Sequence, residues 1–248
     1  MNELIGYQFI VQNESVGKCK DLLFDASVWT LRYFLADTGG WLIGRKVLVT
    51  PFMIKKADWS TESLYLNITK DQLENCPSRS EDEPVSREYE KRLFQYFGRP
   101  GYWDHDGLWG QASFPTDVSI PIEPEKGETR DFDREKTDEK EYDLRSFKEL
   151  NGYDINAKDG DIGHVEDIIV DDTTWTLRYV VVDTVNWLPG GKKVLLSLDW
   201  VEAVSWFHSN LSVNLSQQEI KNSPVFNPKM PINFEYEKQL YDYYGRPI

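Results

Sequence analysis

The sequence predicts a mainly β protein with short helices, arranged as two tandem small antiparallel barrels, each followed by a short helical cap. Three observations carry that expectation. One unit of about a hundred residues occurs twice, strand-like alternation recurs inside each copy, and both copies end on the same helical pattern. Gly17–Leu42 and Gly163–Leu188 are identical at 12 of 26 aligned positions. The tails YEKRLFQYFGRP (Tyr89–Pro100) and YEKQLYDYYGRP (Tyr236–Pro247) agree at 8 of 12. The offset is 146 at Trp29/Trp175 and 147 at Trp59/Trp206, so one residue is inserted near Pro189-Gly190-Gly191.

The strands follow from period-two alternation. Leu64, Leu66 and Ile68 face one way and Tyr65 and Asn67 the other. Leu211, Val213 and Leu215 repeat this against Ser212 and Asn214. Gly17 and Gly163 begin the first core strand of each copy. In the next strand Trp29, Leu31, Tyr33 and Leu35 share a face, with Trp29 and Trp175 placed mid-strand in the core. The opposite face carries Thr30, Arg32, Phe34 and Ala36, matched by Thr176, Arg178, Val180 and Val182. That face is half apolar, which calls for a cover from a helix or another unit. Lys46–Thr50 and Lys193–Ser197 supply a further short strand.

The helices follow from caps. Thr69-x-x-Gln72 and Ser216-x-x-Glu219 are both capping boxes, and Pro77 and Pro224 stop the short helices they open. In the longer helix that follows, Tyr89, Leu93, Tyr96 and Phe97 make one apolar stripe, and Gly98 is placed to end it. Tyr236, Leu240, Tyr243, Tyr244 and Gly245 restate the design. The domain expectation is a first unit over 1–100, a connector and charged linker over 101–143, and a second unit over 144–248. Gly101–Ile122 is aromatic and turn-rich, whereas Glu123–Asp143 holds ten acidic and five basic residues and reads as a solvated linker.

Composition narrows the function classes. The net charge of −14 opposes direct binding to nucleic acid, whose affinity comes from Lys and Arg neutralising phosphates, and to anionic lipid. No apolar run is long enough to span a bilayer, so membrane contact is expected only through a partner. The chain opens without a basic, then apolar, leader. Cys19 and Cys76 fall where the second copy has Val165 and Ser223, so the duplicated fold shares no bridge. A reducing, cytoplasmic setting follows, with both thiols buried and inert.

The pattern G-x-V-x-D-I-I-V-D-D, then W-x-L-R-Y-V-V-V-D-T, then W-L-P-G-G-K-K-V-L-L (Gly163–Leu196) resembles the PRC-barrel domain. That domain occurs in the H subunit of photosynthetic reaction centres and in a ribosome maturation factor. The first copy is similar at Asp21, Asp25, Trp29, Arg32, Tyr33, Asp37, Thr38, Trp41 and Leu42. The resemblance implies a small barrel used as an adaptor, with no catalytic residues to carry over.

Candidate sites are sparse. His105, His164 and His208 are unpaired at ligand spacing, and Asp104-His105-Asp106 reads as an exposed turn. Asp25/Asp171 and Asp37/Asp183 fall at strand ends, where aspartate bonds its own backbone. Gly39-Gly40 and Gly190-Gly191 read as hairpin glycines rather than a phosphate loop. Trp41 and Trp187 sit beside those turns, and both a rim position open to a partner and a core position suit them.

The expected function is a non-catalytic protein-interaction or adaptor module without cofactor or metal, acting through a protein partner or self-association. Its candidate interface is Trp41, Trp187, Phe34, Val180, Val182, Trp103 and Trp109, with the Phe34 and Val180/Val182 faces packed together as a pseudo-dimer. The alternative is an enzyme or small-ligand binder with a site between the barrels lined by Trp103, His105 and Trp109. A reaction-centre-like or ribosome-associated assembly role is a further alternative.

Overall fold

The computed structural model describes residues 1–39, 46–77, 84–105, 107–118, 143–185 and 191–246. It divides into two compact units. The first unit comprises Glu3–Ser146 together with Asp172–Thr176, and the second comprises Met1–Asn2, Phe147–Asp171 and Leu177–Ile248.

In the first unit the strands are β1 (Gln8–Val11), β2 (Glu14–Asp25), β3 (Thr30–Asp37), β4 (Lys46–Val49), β5 (Ile54–Asp58) and β6 (Ser63–Leu66). They lie in the order β4-β3-β2-β1-β6-β5, and β7 (Leu144–Ser146) adds to β2. The helices α1 (Lys70–Asn75) and α2 (Arg87–Tyr96) follow β6. In the second unit α3 (Phe147–Leu150) precedes β8 (Asp154–Ala157), β9 (Gly160–Val170), β10 (Leu177–Asp183), β11 (Lys193–Ser197), β12 (Val201–Ser205) and β13 (Asn210–Val213). The sheet order β11-β10-β9-β8-β13-β12 matches that of the first unit, and α4 (Gln217–Asn222) and α5 (Phe234–Tyr244) close the chain.

The fold is mainly β, as expected, but the sheets are mixed rather than wholly antiparallel. β1 pairs β6 in parallel, and β8 pairs β13 in parallel. Two-residue alternation reports which side chains face inward but carries no information on strand direction. The outermost strands of the first sheet, β4 and β5, are consecutive in sequence and separated only by a 3-10 turn at Pro51–Met53.

β2 is long because its beginning pairs β1 (Glu14–Lys18) while the rest pairs β3 (Lys18–Asp25). Gly17 and Gly163 therefore lie inside strands rather than at their starts. A Cβ on Gly17 would sit 2.5 Å from the Asp37 carbonyl oxygen, and one on Gly163 closer still to that of Asp183. Only glycine permits this approach. Replacing Gly163 with Ala is expected to cost about 1–3 kcal/mol, read as a lowered urea midpoint, because the strands must separate to admit the methyl.

Both faces of β3 are buried. Thr30 to Phe34 are all covered, so the inward and outward faces read from the sequence both meet other groups. The core of the first unit gathers Phe9, Leu22, Phe24, Tyr33, Phe34 and Leu64, none of them exposed. Each such side chain contributes about 1.5–3 kcal/mol on leaving water. Trp29 and Trp175 are not mid-strand. Both occupy left-handed backbone at the turn before the strand (φ +47° and +61°), and only Trp175 is buried.

The caps stand as expected. Thr69 and Ser216 each accept from the N3 amide, while Gln72 and Glu219 reach back to the N-cap amide. Ser216→Ala is expected to cost about 1 kcal/mol in thermal or urea melts, since it removes one acceptor from the first turn. Gly98 and Gly245 adopt the left-handed conformation that ends α2 and α5 (φ +61° each). The stripe on α2 is rotated from the one expected. Tyr89, Glu90, Leu93 and Phe94 are buried, whereas Tyr96 is 40% exposed. The helix turns a carboxylate inward, and the reason lies in the groups that meet it.

Candidate functional site

The chemistry of the first unit concentrates where α2 crosses β3. Ser86 caps α2 by accepting from the Tyr89 amide, which starts the helix so that Glu90 faces the sheet. Glu90 is fully buried. Its Oε1 accepts from the Tyr33 hydroxyl at 2.6 Å and from the Tyr102 hydroxyl at 2.8 Å. Its Oε2 accepts from Arg87 Nη1 at 2.8 Å. A buried carboxylate is tolerable only with such partners.

Beyond Gly98 the chain returns across β3 and covers Arg32. The Arg32 guanidinium lies 3.9 Å from the centre of the Tyr102 ring and 5.0 Å from that of Trp109. Its Nη1 donates to the Leu108 carbonyl, and its Nη2 is 3.5 Å from Asp25 Oδ2. Arg32 is 3% exposed, and its Nε is buried without a hydrogen-bond partner among the described residues. Burial pulls its pKa below the ordinary value, against Tyr102 and Asp25, which raise it. The Trp109 indole N–H donates to the Thr174 carbonyl at 2.9 Å, and Trp103 lies against Phe94 and under Arg87. Chemically this is a clasp. A cation, a carboxylate and two phenols hold Tyr102 and residues 107–110 against the sheet.

The second unit repeats half of it. The Tyr179 hydroxyl donates to Glu237 Oε1 at 2.7 Å, and Arg178 Nη2 lies 3.7 Å from the same oxygen. The side chains are less covered, however, at 43% exposure for Arg178 and 24% for Glu237, against 4% for Arg32 and none for Glu90. Among the described residues, no tyrosine or tryptophan takes the places of Tyr102 and Trp109 over Arg178; the ring recorded beside it is its neighbour Tyr179, at 5.9 Å. Arg87, which stacks on Trp103, corresponds to Phe234 (234 − 87 = 147), and Phe234 is 68% exposed.

Several buried phenols titrate late. Burial first, then Glu90, raises Tyr102 well above the usual tyrosine value, and burial followed by the Glu237 bond raises Tyr179. Burial pushes Tyr236 up to about 12. Folded tyrosines thus keep protons that unfolded ones, near 10, release. Stability from these groups is complete below about pH 10 and is expected to fall as pH rises toward about 12. Urea midpoints across that window, with phenolate absorbance followed in parallel, measure it; a flat profile would contradict the buried phenols.

Most of the expected site residues are already engaged. Trp109 is buried and bonded, and Trp103 is half-buried among its own unit's rings. His105 is exposed, with Nε2 2.9 Å from the Gln111 amide nitrogen. Phe34 is unexposed, edge-on to Phe9 and to Trp175. Val180 and Val182 are buried in the second unit. These three are covered within the single chain and offer no surface to another molecule. Trp41 and Trp187 lie outside the described residues. Asp25, Asp37 and Asp183 each accept from a backbone amide two residues on, as turn aspartates do. Cys19 and Cys76 are buried thiols whose Sγ atoms donate to the Asp21 and Leu73 carbonyls. Among the described residues no group of three or more His, Cys, Asp or Glu could hold a metal ion.

Sequence reasoning missed Glu90/Glu237 and Tyr33/Tyr179. The signal was present, because both pairs are retained in both copies and Glu90 sits between Tyr89 and Leu93 on an apolar face.

Residues 142–209 match the family model of the PRC-barrel domain. The resemblance read from Gly163–Leu196 therefore holds over that stretch, which spans β7 to the turn before β13. No curated protein matches the chain. Among the described residues no helix is long and apolar enough to cross a membrane.

Proposed function

We propose, from the PRC-barrel match in its second half, that the chain is a non-catalytic protein-interaction module built of two units of this type. One observation carries the reading. The second unit leaves large apolar side chains in water, with Phe207 at 90%, Phe234 at 68%, Met230 at 63% and Val225 at 62% exposed. We read these side chains as the surface a partner covers, since a contiguous exposed apolar patch is what such a surface presents. The polar groups retained in both copies support the same reading, because in each unit they fasten a helix to the sheet.

The test is affinity capture with the whole chain from an extract of the source organism. One protein should be recovered in stoichiometric amount, persist after nuclease treatment as the acidic charge requires, and be lost with Phe207→Asp or Phe234→Asp. Recovery of nothing, or of nucleic acid alone, would overturn the reading.

A further inference from the structure

The two units differ where Arg32 and Arg178 correspond. In the first, Arg32, Glu90 and Arg87 are covered by Tyr102, Trp103 and Trp109 of the connector. In the second, the corresponding Arg178 and Phe234 are exposed and Glu237 is half-buried. The chemistry that fits them is visible on the first unit. A tyrosine ring centre lies 3.9 Å from the guanidinium, its hydroxyl donates to the carboxylate, and a backbone carbonyl accepts from one guanidinium nitrogen.

Resting on the interaction reading above, we infer that the Arg178–Glu237–Phe234 surface docks a tyrosine- and tryptophan-bearing loop of a partner protein. The partner's tyrosine stacks on Arg178 and donates to Glu237. Its neighbouring tryptophan packs on Phe234, which replaces the cation of Arg87 with an apolar shelf. The match is electrostatic, because the face of an aromatic ring attracts a guanidinium and the phenol adds to Tyr179 a second hydroxyl donor for Glu237, as Tyr102 adds to Tyr33 for Glu90. The hydroxyl of Tyr236, one residue before Glu237, is buried without a hydrogen-bond partner among the described residues, whereas its counterpart Tyr89 donates to the Pro77 carbonyl.

The probe is a labelled synthetic peptide with the sequence of residues 100–112, titrated into the whole chain and followed by fluorescence anisotropy. Saturable one-to-one binding is expected. It should weaken about tenfold in Arg178→Ala, the size of one cation–π contact. It should weaken about fivefold when the peptide's tyrosine is replaced by phenylalanine. Arg178 and Phe234 are exposed, so both variants should keep the parent's circular dichroism, and Phe234→Asp serves as the independent second variant. Absence of saturation, or equal binding by the parent and both variants, overturns the inference. Dimers of the parent chain that Arg178→Ala dissolves would place a second copy there instead and overturn the assigned occupant. Capture with Arg178→Ala as bait separates the two readings. A partner retained there sinks this site and leaves the interaction function standing, whereas no partner with either bait sinks the function itself.

Discussion

Trp175→Ala is expected to destabilise the first unit by about 3–5 kcal/mol, although residue 175 lies in the second copy of the repeat. Residues 172–176 belong to the first compact unit. The Trp175 ring meets Phe34 edge-on at 5.3 Å, and its carbonyl accepts from the Leu31 amide at 2.9 Å. Thr176 bridges Thr30, and Thr174 accepts from the Trp109 indole. Truncation removes a large buried ring, leaves a cavity beside Phe34, and loosens the clasp through Trp109. The matched Trp29→Ala should cost about half as much, because Trp29 is only half-buried and stacks on a single ring, Phe24, at 5.7 Å. Urea denaturation measures both. Hydrogen exchange locates the damage, which should accelerate in Thr30–Asp37 and Lys46–Val49. Equal losses for the two tryptophans would contradict the placement of Trp175.

Arg32→Ala is the second large effect, expected at about 3–5 kcal/mol. Removing one partner of a buried ionic cluster leaves the others without compensation, here the Leu108 carbonyl and Asp25, while Tyr102 and Trp109 lose the cation they cover. Arg32→Lys should recover only part of the loss, because an ammonium cannot present a plane to two rings and a carbonyl together. Arg178→Ala should cost less than about 1 kcal/mol, since that side chain is 43% exposed and its ion pair is long at 3.7 Å. Residues 101–112 should become open to limited proteolysis in Arg32→Ala and stay protected in Arg178→Ala. Comparable losses from the two arginines would show that the connector does not hold the site shut.

Identity across the repeat therefore does not mean identity of role. Arg32 and Arg178, or Trp29 and Trp175, are the same residue at the same step of the same turn or strand. Their energetic weight differs because different chain segments reach them.

Much of the fold was legible in the residues. Alternation at Leu64–Leu66 and Leu211–Val213 marked β6 and β13, and the capping boxes at Thr69 and Ser216 marked α1 and α4. The parallel pairing of β1 with β6 was not legible, nor was the left-handed backbone of Trp29 and Trp175. For the site, the sequence offered Trp103 and Trp109 as interface residues or as the lining of a ligand site, whereas Trp109 lies over Arg32 and Trp103 over Arg87. Glu90 was passed over because a carboxylate beside an apolar stripe reads as solvated unless its hydroxyl donors Tyr33 and Tyr102, more distant in sequence, are known.

The sequence by itself determined the duplication, the alternating strands, the caps that start the helices and the glycines that end them. These depend on neighbours within about four residues, and local sterics and hydrogen bonding decide them. Only the tertiary structure decided that residues 172–176 belong with the first unit, that Glu90 is buried, and that the connector closes over Arg32 while Arg178 stays open. Those outcomes rest on contacts between positions such as 31 and 175 or 32 and 102, where ring faces, carbonyls and a charge meet. No periodicity along the chain records such meetings.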